Sequence, residues 1–419
     1  MKILMVNKFL YPKGGAESYM LNLAEELKRN GHEVEYFGMY DEKNTVGNSL
    51  GLYTKNMDFH SNGAERLLYP FKILYSFEAK RKIGRVTDSF KPDIVHMNNI
   101  NFQLTPSMVS AVKKRGIPLV QTVHDYQMIC PNHLLYNFSE NKPCERCVNG
   151  SKLNCFKYKC IHQSRIKSLL GMFEAWLYKL LGTYKAVDLY ICPSRFLENK
   201  LKKSAGFYNE KIFMLHNFIN VNETTKSQPA PKEPYIAFIG RFSEEKGVEL
   251  LAQTAQLLSD VNFTAVGSGP CENMLKNIKN IHLTGFLTGD KLTEVTKNAK
   301  ALIVPSICYE NCPLSILEAH ALGVPVITMN SGGMAELAED GVTGTLANEP
   351  TAKSVADAVK RLICDEKKYN KIKENCEKRK KEILSSEKYC EILEDIYKTL
   401  IGGGAERGTA KGQHNRSCI

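Results

Sequence analysis

Short, wholly apolar runs recur along this chain, each followed by a helical pattern, and that alternation limits the folds open to it. Residues 3–6 form the first run. Gly14-Gly15 follow, then an amphipathic stretch through Leu21, Leu23, Ala24 and Leu27, closed by Asn30-Gly31. Further runs lie at 34–39, 94–97, 119–124, 189–192 and 212–215, with helical patterns such as 104–114 between them. A strand without polar alternation is buried on both faces, so helices must cover both sides of a parallel sheet. Residues 219–234, INVNETTKSQPAPKEP, are polar and proline-rich and read as a connection. The alternation then restarts, with strands at 235–240, 262–266, 282–286, 301–305 and 324–328 and helices at 247–258, 290–298, 314–322 and 352–364. The fold class is α/β: two Rossmann-like parallel-sheet domains in tandem, expected to face each other across a cleft, because such sheets bind ligands beyond their strand ends. A length of 419 residues agrees with two domains.

The expected divisions are an N-terminal domain over 1–212, with a Cys-rich insertion at 130–162, and a C-terminal domain over 213–380. A helix at 381–401 would return to the first domain, and a tail at 402–419 would be disordered. Residues 365–400 read as one long or two shorter charged helices. No apolar run reaches the roughly 18 residues of a membrane span, and the start of the chain lacks the apolar stretch of a signal peptide. A cytoplasmic location is expected, with a peripheral place at the inner face of the membrane. The formal charge of +11 divides unevenly: residues 1–212 hold 31 Lys/Arg against 19 Asp/Glu, and residues 213–419 hold 25 against 26. The first domain is thus expected to meet an anionic membrane surface or a phosphate-linked acceptor.

The densest chemistry is SICYENCPLSILEA at 306–319. Pro313 suits a helix start, because its missing N–H is not needed there. The amides of Leu314 and Ser315 would then leave the helix N-terminus as an anion site. Glu310 and Glu318 could each accept two hydroxyl hydrogen bonds, as from a sugar or ribose, although an acid near a helix start also favours the helix dipole on its own. Next is GRFSEEKG at 240–247, where Arg241 and Lys246 could hold phosphate or could simply be solvated surface cations. Gly14-Gly15 permits close backbone approach to a ligand or marks a plain turn. His124 lies at a strand end, as a polar group for a ligand or as a satisfied structural histidine. Gly332-Gly333 with Glu336 admits the same two readings.

In order along the chain, these pieces resemble the retaining, nucleotide-sugar-dependent glycosyltransferases of family 4, which have the GT-B fold. The resemblance runs from residue 1 to about 400 and includes KPDIVH at 91–96, VHD at 123–125, GSGP at 267–270 and the E-x7-E pair Glu310 and Glu318. It implies that Arg241 and Lys246 hold the donor diphosphate, that Glu318 meets the ribose, and that Glu310 lies near hydroxyls of the transferred sugar. Leu314 and Ser315 would offer amides to the distal phosphate. Gly14, Gly15 and His124 would stand beside diphosphate and sugar, and Gly240 and Gly267 beside the nucleotide. The catalytic set would be His124, Arg241, Lys246 and Glu310. The family generally works without a catalytic metal, in keeping with two cations here and no Asp-x-Asp sequence. Asn311-Cys312 stands where the family commonly has Gly-Phe, so the donor sugar stays open, with UDP-sugars favoured. The acceptor implied is a surface polysaccharide or lipid-linked glycan. Two other readings remain: a GT-B nucleotide-sugar epimerase, and a non-enzymatic nucleotide- or nucleic-acid-binding protein. No nucleic-acid partner is expected, because no recognition module is present.

Cys144, Cys147, Cys155 and Cys160 follow Cys130 and His133 and precede His162 in a polar, basic segment. Four thiolates at this spacing could surround a structural Zn²⁺, or they could be reduced thiols packed in a long loop. No cofactor is expected for catalysis. Residues 165–185 carry an apolar stripe through Leu169, Leu170, Phe173, Trp176, Leu177 and Leu180 with basic ends. A core helix of the first domain is the expectation, and a lipid-facing helix is the alternative.

Overall fold

The computed structural model describes residues 1–56, 69–220 and 233–403. Most of the expected connection at 219–234 and nearly all of the expected tail at 402–419 lie outside these residues. The chain forms two compact units. One comprises residues 1–216 with the last helix, and the other runs from Asn217 to Ser385.

In the first unit the elements are β1 (Lys2–Val6), α1 (Gly15–Arg29), β2 (Glu33–Phe37), α2 (Tyr69–Leu74), α3 (Phe77–Phe90), β3 (Ile94–Met97), α4 (Ser107–Lys113) and β4 (Leu119–Thr122). A hairpin of β5 (Tyr136–Asn137) and β6 (Lys142–Pro143) follows, then α5 (Leu153–Lys157), α6 (Arg165–Leu180), β7 (Leu189–Cys192), α7 (Arg195–Lys202) and β8 (Ile212–Met214). Six strands pair in parallel in the order β2-β1-β3-β4-β7-β8. Strand order reverses beside β1, so the crevice between the carboxyl ends of β1 and β3 is the natural ligand site. Strand β8 pairs with β7, which carries this unit past the expected break at 212. Helix α4 starts at Ser107 rather than 104. Pro106 disfavours helical backbone at the residue before it, and Thr105 sits at φ +70°.

The second unit contains β9 (Tyr235–Ile239), α8 (Val248–Leu257), β10 (Asn262–Val266), β11 (Ile281–Gly285), α9 (Gly289–Asn298), β12 (Ala301–Val304) and α10 (Leu314–Ala321). It continues with β13 (Val326–Met329), α11 (Met334–Leu337), β14 (Gly344–Ala347), α12 (Ala352–Ile363) and α13 (Glu366–Arg379). Its parallel sheet has the order β11-β10-β9-β12-β13-β14 and reverses between β9 and β12. The core packs Ile236, Leu251, Phe263, Leu302, Ile327 and Val359, all 0–1% exposed, between sheet and helices.

The charged segment after 365 is two helices that serve different units. Helix α13 buries Ile372 and Cys376 in the second core. Helix α14 (Ser386–Gly402) packs on α1 of the first unit through a buried polar chain. The Tyr389 and Tyr19 hydroxyls are 2.6 Å apart, Tyr397 Oη lies 2.5 Å from His96 Nδ1, and His96 Nε2 is 2.7 Å from Thr122 Oγ1. At its rim Ser386 Oγ donates to Glu26, and Asn30 Nδ2 donates to Glu394.

Helix α6 departs from the expected core helix. Its inward face is Ser168, Gly171, Met172, Glu174, Ala175 and Tyr178, while of the apolar stripe Phe173, Trp176 and Leu180 are exposed and Leu169, Leu170 and Leu177 half-buried. Burial pushes the Glu174 carboxyl up to about 8.

Two outcomes are expected. Tyr397→Phe strands a nitrogen of His96 in the interior and costs about 1–3 kcal/mol, read as a lower urea midpoint, while Tyr208→Phe at the surface leaves it unchanged. Burial also depresses His96 to about 3 and, with Arg379 nearby, His320 to about 4. Both stay neutral in the fold where the unfolded chain takes up protons. Their contribution is complete above pH 6.5 and is lost as pH falls toward 4, by at most about 1.4 kcal/mol per pH unit each. Denaturation midpoints between pH 7 and pH 4 check this.

Candidate active site

Strands β9 and β12 flank the reversal point of the second sheet, and the loops leaving them carry the chemistry. After β9 the chain runs through Gly240 and Arg241 into a short 3-10 turn, Glu244–Lys246, ended by Gly247 at φ +71°. Any side chain at Gly247 would overlap the carbonyl of Pro305, the residue that follows β12, so the two loops touch. Gly267, after β10, sits at φ +142°, and a side chain there would overlap the Gly240 carbonyl. Gly240 itself has ordinary room for a methyl group, so packing within the protein does not require glycine there.

The loop after β12 brings Glu310 to Lys246. Lys246 Nζ donates to Glu310 Oε1 at 2.6 Å, and Ser306 Oγ donates to the same oxygen at 2.8 Å. Burial alone would pull the Lys246 ammonium down, but the charge and hydrogen bond of Glu310 outweigh it and hold it above its ordinary value. Lys246 was expected at the diphosphate and Glu310 at the sugar; in the structure the two bind each other. An ammonium has three donors, so this pairing leaves Lys246 capable of further bonds. The backbone of Glu310 is held from behind, where Gly333 N donates to its carbonyl at 2.8 Å and Gly332 takes φ +59° against it. The two glycines thus position the Glu310 loop.

Pro313 is the N-cap of α10 and not its first helical residue. The amides of Leu314 and Ser315 make no hydrogen bond among the described residues, so they form a donor pair at a helix N-terminus. One turn on, the Glu318 carboxylate makes no hydrogen bond or ion pair among the described residues, and burial pushes it above the usual range. An uncompensated acid here costs stability, which suits a group that binds hydroxyls. Arg241 is exposed. Cys308 and Cys312, on either side of Glu310, are buried, and burial pushes the Cys312 thiol up to about 12. Both are packed in the interior, where the thiolate form is disfavoured.

In the first unit Gly14 caps α1 with extended backbone, and Gly15 opens the helix. Beside them Asn7 accepts from Asn99 N at 2.9 Å and donates to Glu17. His124, just past β4, lies 2.9 Å through Nε2 from Asn98 Oδ1 and meets the edge of Tyr19 at 5.0 Å. Burial lowers it to about 4, so the imidazole is neutral. Sequence reasoning missed Asn98 and Ser306, the partners of His124 and Glu310. A polar residue at the end of an apolar strand was the available signal for each.

Cys130, Cys144, Cys147, Cys155 and Cys160 line one small cavity in the insertion, all as free thiols. Cys130 Sγ is 2.9 Å from Asn132 Oδ1, and burial pushes Cys147 up to about 11. The donor set suits zinc, but among the described residues no group of three or more His, Cys, Asp or Glu stands at ligand spacing.

Comparisons with known proteins identify the family and the fold. The family model described as Glycosyltransferase Family 4 matches residues 13–223, and that described as Glycosyl transferases group 1 matches residues 221–379. An uncharacterized 42.6 kDa protein in the cps region of Klebsiella pneumoniae is 26% identical over 354 residues, covering 80% of this chain and 87% of the relative. The solved sucrose-phosphate synthase of Thermosynechococcus elongatus superposes with a TM-score of 0.71 at 17% identity, covering 96% of this chain and 100% of that one. HepE of Anabaena in complex with UDP superposes with a TM-score of 0.68 at 18% identity, covering 95% and 100%. The fold is GT-B, and the chain belongs to glycosyltransferase family 4.

Proposed function

We propose that the chain transfers a sugar from a nucleoside-diphosphate sugar to a hydroxyl of a glycan or lipid-linked acceptor, with retention of anomeric configuration. The observation that carries this is the set of anion donors after β9 and β12. Arg241, Lys246 and the amides of Leu314 and Ser315 come from neighbouring loops at one reversal point. Charge develops on the departing diphosphate during transfer, and preorganised donors stabilise it there at no cost of rearrangement. Glu318 meets the ribose hydroxyls, which compensate its half-buried charge. Glu310, fixed by Ser306 and Lys246, faces the sugar hydroxyls. With Asn98 Oδ1 as acceptor, His124 carries its proton on Nε2, and Nδ1 is left to accept from a hydroxyl. UDP is the favoured nucleotide because HepE was solved with UDP and with UDP-glucose. The cps-region relative supports a capsule or other surface polysaccharide as product. The basic first unit supports an anionic or lipid-phosphate-linked acceptor at a membrane surface.

A structural zinc at the cysteine insertion is likewise proposed. Thiols from four short segments surround one cavity in a loop with little regular structure, and a metal would draw them together. Purified protein is expected to hold about one zinc per chain, and a chelator to lower its thermal midpoint. Zinc-free protein of unchanged midpoint would show thiols only.

Transfer is tested with a panel of UDP-, GDP- and ADP-sugars and a glycan acceptor, reading free nucleotide and the anomeric configuration of the product. Arg241→Ala is expected to lower kcat about 10²–10³-fold with an unchanged circular dichroism spectrum. Near-normal nucleotide release by that variant would remove Arg241 from the mechanism. An isomerised nucleotide sugar without glycosylated acceptor would mark an epimerase.

A further inference from the structure

Helix α6 is amphipathic in the wrong sense for a core element. Its packed face carries a glycine, an alanine, a serine and a protonated-range glutamate, with Met172 and Tyr178. Its outward face carries Ile166 at 73% exposure, Phe173 at 45%, Trp176 at 41% and Leu180 at 86%, with Leu181 at 55% just beyond. Leu169, Leu170 and Leu177 lie half-buried between them. At about 100° per residue these positions fall on one side of the helix. Isolated exposed apolar residues are ordinary, but a continuous row over four turns marks a surface that binds something.

The charges around the row select the occupant. Arg165, Lys167 and Lys179 are exposed on its flanks, and Lys185 is exposed just after it. The one acid of the helix, Glu174, is turned inward and is 1% exposed, so the outward side of α6 is wholly cationic in its charges. A second copy of this chain would set these cations against their own kind. An anionic lipid surface complements them, with the rings and leucines entering the headgroup–acyl boundary and the lysine and arginine heads staying at the phosphates. Among the described residues no helix is long and apolar enough to cross a membrane, so the contact is one of lying on the surface.

We infer that α6 docks the first unit on an anionic bilayer, with Ile166, Phe173, Trp176 and Leu180 inserted and Arg165, Lys167, Lys179 and Lys185 on the headgroups. This deepens the proposal of a membrane-surface acceptor by naming the element that makes the contact, and its test is separate from that of transfer.

Trp176 is the only tryptophan of the chain, so its fluorescence reports the contact directly. The full chain is titrated with phosphatidylcholine vesicles and with vesicles in which about 30 mol % is phosphatidylglycerol. The expected result is a blue-shifted Trp176, shielded from acrylamide, with the anionic vesicles. Partition into them should be at least about tenfold stronger than into the neutral ones and weaker at high salt. Phe173→Ser with Leu180→Ser, both on the exposed face, should lower partition at least about tenfold, with thermal midpoint and donor hydrolysis unchanged. Unshifted Trp176 fluorescence, or equal partition by the double variant, overturns the inference while leaving sugar transfer standing. A lipid-free dimer that the double variant dissociates overturns it in favour of a second copy. Loss of donor hydrolysis by the wild type would count against the transfer reading and not against docking.

Discussion

Parallel strands cannot be joined by tight turns, and the rest of each unit follows from that constraint. Every strand must be followed by a crossing over a sheet face, so the functional loops gather at the carboxyl ends. Where strand order reverses, adjacent loops part to opposite sides and leave a crevice. In the second unit that point lies between β9 and β12, and the two loops there contribute Arg241, Lys246, Ser306 and Glu310. In the first it lies between β1 and β3, with Asn7 after one and Asn98 and Asn99 after the other. The chemistry is therefore placed by topology before any side chain is oriented.

Much of this was legible in the sequence because buried parallel strands are written as plain apolar runs. The strands at 94–97, 189–192 and 262–266 were found to the residue, and most others to within one or two positions. What was not legible depended on partners distant in sequence. The first unit runs to His216 rather than 212 because β8 pairs with β7, a tertiary fact. The start of α4 was missed because Pro106 and the left-handed Thr105 override an apolar pattern that continues back to Leu104. Of the residues expected at the donor site, Gly14 and Gly15 stand in the first unit and the others in the second, where the Lys246–Glu310 pair, 64 positions apart, was not foreseen.

Helix α6 shows the limit of periodicity as evidence. An apolar stripe says that a surface must be covered and not what covers it. Here the first unit instead covers the weakly apolar face, with Glu174 inside, and presents the strongly apolar face outward. The opposite economy governs α14. Its tyrosines reach into the sheet and satisfy His96 and Tyr19, so a polar interior is tolerated because its members bond one another.

The central claim is that the loops after β9 and β12 recognise a diphosphate. Calorimetric titration of the full chain with UDP, GDP and ADP, each against its own nucleoside, tests it most directly. One diphosphate should bind far more tightly than its nucleoside, by at least about 100-fold, or some 2.7 kcal/mol, with affinity that falls as salt rises. Equal affinity for nucleoside and diphosphate, or no binding of any diphosphate, would contradict the claim.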